Sequence, residues 1–161
     1  MTDTRPEGHH RTFLVVVDET EEMSVALNYA ARRARNSGGR VALLYVMEPG
    51  EFQQWSAVEA LMKHEQREQA EQLLQRLAKT VLDISGTLPC LHLVEGKRSE
   101  ELMRIVENDR SISILVLAAG TGRAGPGPLI NYMVGQMSGT LRIPVTVVPG
   151  GLNEAQLDIL T

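Results

Sequence analysis

The chain has 161 residues, 43% of them hydrophobic and 22% charged, which is enough for one well-buried core and too few for two ordinary domains. With Lys+Arg 16 against Asp+Glu 20 and a formal net charge of -4, it has no basic stripe to neutralise a phosphate backbone, so nucleic acid is not an expected partner. No apolar run approaches the roughly 20 residues of a membrane helix, and the opening MTDTRPEGHHRT lacks the apolar core of a secretion signal, so a cytoplasmic protein with no membrane partner is expected.

After a polar tail over residues 1–12, expected to be disordered, FLVVV at 13–17 is a short continuous apolar run of the kind buried on both faces of a parallel sheet. Over 21–37, Met23, Ala26, Leu27, Ala30, Ala31 and Ala34 recur at helical spacing, and Gly38 and Gly39 end that helix. RVALLYV supplies a second strand. The longest helical pattern runs from Trp55 to about Asp83, but its middle, HEQREQ at 64–69, has no apolar residue. Only the second half, carrying Leu73, Leu74, Leu77 and Val81, is therefore expected to lie on the sheet, with the first half projecting toward an edge or another subunit.

LPCLHLV reads as a third buried strand, in which the single cysteine, Cys90, packs as a small hydrophobe and His92 is a hydrogen-bonded core histidine. Ser99 is placed to cap a helix through Leu102, Ile105 and Val106, and ISILVLA is a fourth strand. A helix over about 128–141, a last strand PVTVV and a short terminal helix in NEAQLDIL complete the chain. Five short strands alternating with helices predict a single α/β domain, a doubly wound five-stranded parallel sheet. In the order 3-2-1-4-5, the ligand crevice lies between the loops after strands one and four.

The second of those loops begins Gly120-Thr121-Gly122-Arg123-Ala124-Gly125. A dinucleotide fingerprint is rejected, because Pro126-Gly127-Pro128 prevents a helix from starting at the third glycine and Val145 stands where an acidic residue would bind ribose. A P-loop is excluded, since no Gly-Lys-Ser or Gly-Lys-Thr occurs. What remains is Gly122 and Gly125 followed, nine residues on, by Gly135. Two physical readings stay open. Glycines let backbone N–H groups turn inward as an anion nest, with Arg123 adding a full charge, but glycines and prolines in a row also build a tight corner.

At this glycine spacing the chain resembles the universal stress protein family. The likeness extends to VVVDETEEMSVAL, VALLYV, VEGKRSEELMRIVEN and PVTVVP, and covers residues 13–149, leaving 150–161 as a C-terminal tail. The resemblance implies a Rossmann-like domain, similar to the adenine nucleotide alpha hydrolases, in a stress-response module that binds ATP with magnesium, or another adenine nucleotide, in the crevice. It implies that Asp18 lies by the nucleotide, that Val41 contacts adenine through its backbone, and that Gly122, Gly125 and Gly135 hold ribose and phosphates; Gly120, Arg123 and Gln136 join the candidates as neighbours in the same segment. Gln136 stands where the family places a hydroxyl, although an amide also donates. Homodimers through Val145, Thr146, Val147 and Val148 of the last strand are implied as well. The alternative is a dimeric protein that protects through its surface and takes no small ligand.

The remaining polar residues carry plainer readings. Asp18 has, besides ligand contact, the option of capping or starting the turn into the first helix. Glu19, Glu21 and Glu22 suit the positive end of that helix. His9, His10 and His64 have no partner at metal-ligand spacing, so no metal is expected. No nucleophile and base stand out, so no catalytic residue is assigned beyond, at most, slow ATP hydrolysis. Phe52 and Trp55 are left between the core, a ligand and a partner chain.

Overall fold

The computed structural model describes residues 10–49 and 56–161; His9, Phe52 and Trp55 lie outside them. Five strands, β1 (Thr12–Val16), β2 (Arg40–Met47), β3 (Cys90–Glu95), β4 (Ile112–Ala119) and β5 (Val145–Pro149), form one sheet in the order β3-β2-β1-β4-β5. Every neighbouring pair is parallel. Between them run α1 (Glu21–Ser37), α2 (Ser56–Ser85), α3 (Arg98–Asn108) and a short α4 (Pro128–Ile130), and α5 (Glu154–Leu160) follows. The α/β class and the strand order are those expected from the alternation of apolar runs.

Both faces of the sheet are covered, which is why its central strands are apolar throughout. On one face, Phe13, Val15 and Val17 pack with Ala26, Ala30, Ala31 and Ala34 of α1 and with Leu74 and Val81 of α2. The alanine stripe lets α1 lie close on β1. On the other face, Leu14, Leu44, Leu115 and Leu117 meet Leu102 and Val106 of α3 and Ile130 and Met133 beyond β4. Gly38 ends α1 in the left-handed conformation, φ 69, where a side chain would be strained. The C-terminal residues dock as α5, which opens with a reciprocal capping box between Asn153 and Gln156. Leu157 is buried there, and Asp158 pairs with Arg32 of α1.

The long helix behaves as its composition requires. Ala70, Leu74, Ala78 and Val81 are buried in its second half, whereas Val58 and Leu61 in the first are 52% and 58% exposed.

Three local expectations are corrected. β3 is an edge strand rather than a fully buried one, so Cys90 is exposed; His92 is half-buried, and its Nε2 is shielded without a hydrogen-bond partner. The residue preceding α3 is Lys97 rather than Ser99, with no side-chain cap of its own. Instead the Glu48 carboxylate at the end of β2 accepts the Arg98 N–H at 3.2 Å, satisfying one of the helix's free donors from a different strand. The helix expected over 128–141 makes one α-turn and continues as a π-helix, Asn131–Gln136, so Leu141 lies outside it. The wider winding still buries Met133 while leaving Val134 exposed.

Leu74→Ala is expected to lower the unfolding free energy by about 2–5 kcal/mol, because it empties a packed site. Leu61→Ala should change it by less than about 0.5 kcal/mol, since the side chain is already in water. Urea denaturation of the two variants checks this, and similar losses would mean that the first half of α2 is packed in solution.

Candidate functional site

In this sheet the chain leaves β1 toward one edge and β4 toward the other, so their following loops separate and open a crevice beyond the strand ends. A cavity of about 170 Å³ lies there, walled by Val16, Asp18, Thr20, Glu22, Arg98 and the segment running from Pro126 to Ile130. It shares Arg98, Pro128 and Leu129 with a second cavity of about 290 Å³ that reaches Glu48 and Tyr132. On the α2 side of the Asp18 turn lies a groove of about 430 Å³, with Met23 and Leu73 among its walls beside the amides of Gln69 and Gln72.

Asp18 begins the turn into α1. Its Oδ1 accepts the backbone N–H of Thr20 at 2.8 Å and also the Thr20 hydroxyl, an Asx-turn that holds the carboxylate at the crevice wall. Thr20 itself precedes α1 without a side-chain cap. One turn on, Glu22 lies between the two glycine loops: a Cβ on Gly120 would sit 3.3 Å from its Oε1, and one on Gly150 only 2.6 Å from its Cβ. Gly150 is therefore required by close approach, and Glu22 faces the crevice rather than serving only as a charge at the end of a helix.

Among the described residues Arg98 is the one cation walling the 170 Å³ cavity, while Lys97 joins it on the 290 Å³ cavity and Arg76 lines the groove beside α2. The Arg98 backbone is fixed by Glu48, and the Arg98 Nε is shielded from water without a hydrogen-bond partner among the described residues. Nearby, the Tyr45 phenol at the C-terminal end of β2 is raised above its ordinary 10.0. Burial is the largest cause; the negative charges of Glu19 and Asp18 add to it, and Arg98 opposes it. The Tyr45 hydroxyl thus stays a neutral donor through physiological pH.

The glycine segment folds back on itself. The Gly120 N–H donates to the Pro126 carbonyl at 3.1 Å and the Gly125 N–H to the Gly122 carbonyl at 3.3 Å. Gly125 and Gly127 have positive φ, 84 and 118. Gly122, Arg123 and Gly125 are exposed and do not wall the crevice, whereas Gly120 borders it through Glu22. Gly135 and Gln136 are exposed at the C-terminal end of the π-helix and do not wall the crevice.

Val41 lies at the start of β2, opposite Phe13 and 2% exposed. It is at the end of the strand away from the crevice. In a parallel sheet it is the last residues of β2, and not Val41, that share an edge with Asp18.

Of the expected residues, the fold brings Asp18 and Gly120 to the crevice. It adds Glu22 and Arg98, for which no motif signals, while Tyr45 packs on the α1 and α2 side of the sheet within electrostatic reach of Asp18 and Arg98. The signal available for Arg98 was topological, since the loop after β3 must open on the same edge of the sheet as the loops after β1 and β4. Among the described residues there is no cluster of three metal-ligating side chains and no helix long and apolar enough to cross a membrane.

The profile of the Universal stress protein family matches residues 9–149. No curated protein matches the sequence closely enough to count as a relative. Among solved structures, the chain is similar to the universal stress protein UspA from Lactobacillus plantarum, with TM-score 0.74 and 17% identity over 88% of this chain and 99% of that one. It is similar also to a universal stress protein in complex with cAMP, with TM-score 0.62 and 14% identity over 89% and 100% of the two chains. A third is the universal stress protein from Archaeoglobus fulgidus in complex with dAMP, with TM-score 0.58 and 16% identity over 86% and 98%. At these identities the likeness to the solved structures is one of fold.

The Tyr45 shift has a stability consequence. A raised pKa means that the unfolded chain loses the proton first, so the contribution is complete below about pH 10 and is lost as pH rises through the folded value. Tyr45→Phe is expected to make stability fall less steeply above pH 10 than in the parent. Urea midpoints measured across that range check it, and parallel curves would show the phenol to be solvated.

Proposed function

The chain belongs to the universal stress protein family, and we propose that it is a cytoplasmic, nucleotide-responsive stress module that binds an adenine nucleotide in the crevice between the Asp18 turn and the loop after β4. The observation that carries this reading is the crevice itself. It lies at the point where the strand order reverses, and it is walled by an Asx-turn carboxylate, the cationic Arg98 and the apolar residues Leu117, Leu129 and Ile130. The cAMP and dAMP complexes of two proteins of this fold support an adenine ligand; ATP with magnesium is the form that the sequence resemblance implies. The role proposed is binding rather than turnover, with Asp18, Gly120, Glu22 and Arg98 about the ligand.

We propose in addition that the protein pairs with a second copy through β5. That strand is an edge of the sheet, bonded to β4 on one side, with Val147 38% exposed, so its outer backbone groups can extend the sheet across a dimer. The closed glycine loop favours the other reading, a dimer that takes no small ligand, and the two part on whether nucleotide binds.

The first test is the thermal unfolding midpoint with and without adenine nucleotides, beside mass analysis of any nucleotide released on denaturation. A ligand at about 100 times its dissociation constant adds roughly 2.7 kcal/mol to stability, a rise of about 2–4 °C for a domain of this size. That rise or a released nucleotide is expected; their joint absence would leave the ligand-free dimer. Val147→Asp is expected to sediment as a monomer where the parent sediments as a dimer, and a dimeric variant would place the interface elsewhere.

A further inference from the structure

The glycine loop does not fit a triphosphate. Two of the amides that a phosphate cradle needs, those of Gly120 and Gly125, are bonded to carbonyls of their own loop. The Glu22 carboxylate lies against Gly120, so the loop meets a negative charge there. The α4 turn offers little more, being a single α-turn that changes to π winding. Arg123, the cation that the sequence offers to this loop, is exposed and outside the crevice wall.

Among the described residues the 170 Å³ cavity is nonetheless walled by a single cation, Arg98, with Lys97 beside it only on the 290 Å³ cavity. Arg98 walls both the 170 Å³ and the 290 Å³ cavities, so its side chain lies where they join. Its Nε is shielded from water, and so from both cavities, with no partner among the described residues; a ligand there is met by other atoms of Arg98, whose guanidinium carries the charge. The same 170 Å³ cavity is walled by two acidic residues, Asp18 and Glu22. One guanidinium balances one anionic group by a charge-assisted bond. Each further phosphate would bring negative charge toward those carboxylates in a site of low dielectric.

Resting on the nucleotide reading above, we infer that Arg98, rather than the glycine loop, is the phosphate-contacting residue, and that Asp18 and Glu22 restrict the ligand to a nucleoside carrying a single phosphate. The carboxylates act here as a charge filter. They leave a monophosphate paired with Arg98 and exclude the di- and triphosphate that the family resemblance implies.

The test is calorimetric titration of the full chain with adenosine, AMP and ATP, the last with and without magnesium, at one fixed moderate salt concentration. AMP is expected to bind at least about tenfold more tightly than either adenosine or ATP. Arg98→Gln should reduce AMP affinity to that for adenosine, a loss of about 10- to 100-fold, while leaving adenosine within about twofold. The bond from the Arg98 backbone to Glu48 survives that substitution, and the melting curve of Arg98→Lys, which keeps the charge without the planar fork, guards against a folding effect. Asp18→Asn combined with Glu22→Gln removes two charges while an amide oxygen still accepts from Thr20, and should raise ATP affinity toward that for AMP.

Tighter binding of ATP than of AMP by the parent, or undiminished AMP binding by Arg98→Gln, would overturn the inference while leaving nucleotide binding in place. Equal affinity for adenosine and AMP in the parent would overturn the Arg98 assignment alone. No binding of any of the three would overturn both this inference and the nucleotide reading beneath it.

Discussion

The architecture depends on the burial of a parallel sheet on both faces. Once every strand runs the same way, each must be reached by a crossover, and the crossovers must cover both sides because β1, β2 and β4 are apolar all round. Two helices, α1 and α2, take one face, while α3 and the segment after β4 take the other. Changing faces means reversing direction along the sheet, which happens between β1 and β4. The crevice is therefore a geometric by-product of covering the sheet, present before any residue has been chosen to fill it.

What fills it is a matter of charge. Asp18 is held by its own turn, Glu22 is wedged between the loops after β4 and β5, and Arg98 is carried in by the start of α3. These come from separate elements fixed by the core below. Tyr45 registers the resulting field, its phenol held protonated by burial and by the carboxylates nearby. A glycine-rich segment becomes an anion cradle only if its N–H groups are left pointing outward. Here the chain closes on itself at Gly120 and Pro126, so the same composition yields a corner, and the electrostatic character of the crevice passes to side chains.

The peripheral elements show how context overrides local pattern. The run containing Cys90 and His92 is as apolar as the central strands, but β3 stands at the sheet's edge and its residues are half-exposed. The helix after Pro128 has the apolar residues for several regular turns, but it widens to a π-helix that buries Met133 between the sheet and α3. Ser99 is a good cap by type, but Glu48 from a neighbouring strand reaches the helix end first. In each case the deciding partner is distant in sequence, beyond what local spacing reports.

By itself the sequence determined the sequence of strands and helices, the parallel sheet and the strand order, because continuous apolar runs and an alanine stripe admit few other arrangements. It also determined the family. It did not determine which glycines form a site, since the GxxG spacing is the same whether the amides face a phosphate or the loop's own carbonyls. Only the tertiary structure placed Val41 at the far end of its strand and Gly135 outside the crevice wall, and only it brought Asp18, Glu22 and Arg98 to one crevice. The reason is physical: apolar burial is set by the period of the chain, whereas an electrostatic site is set by distances between elements that the period does not contain.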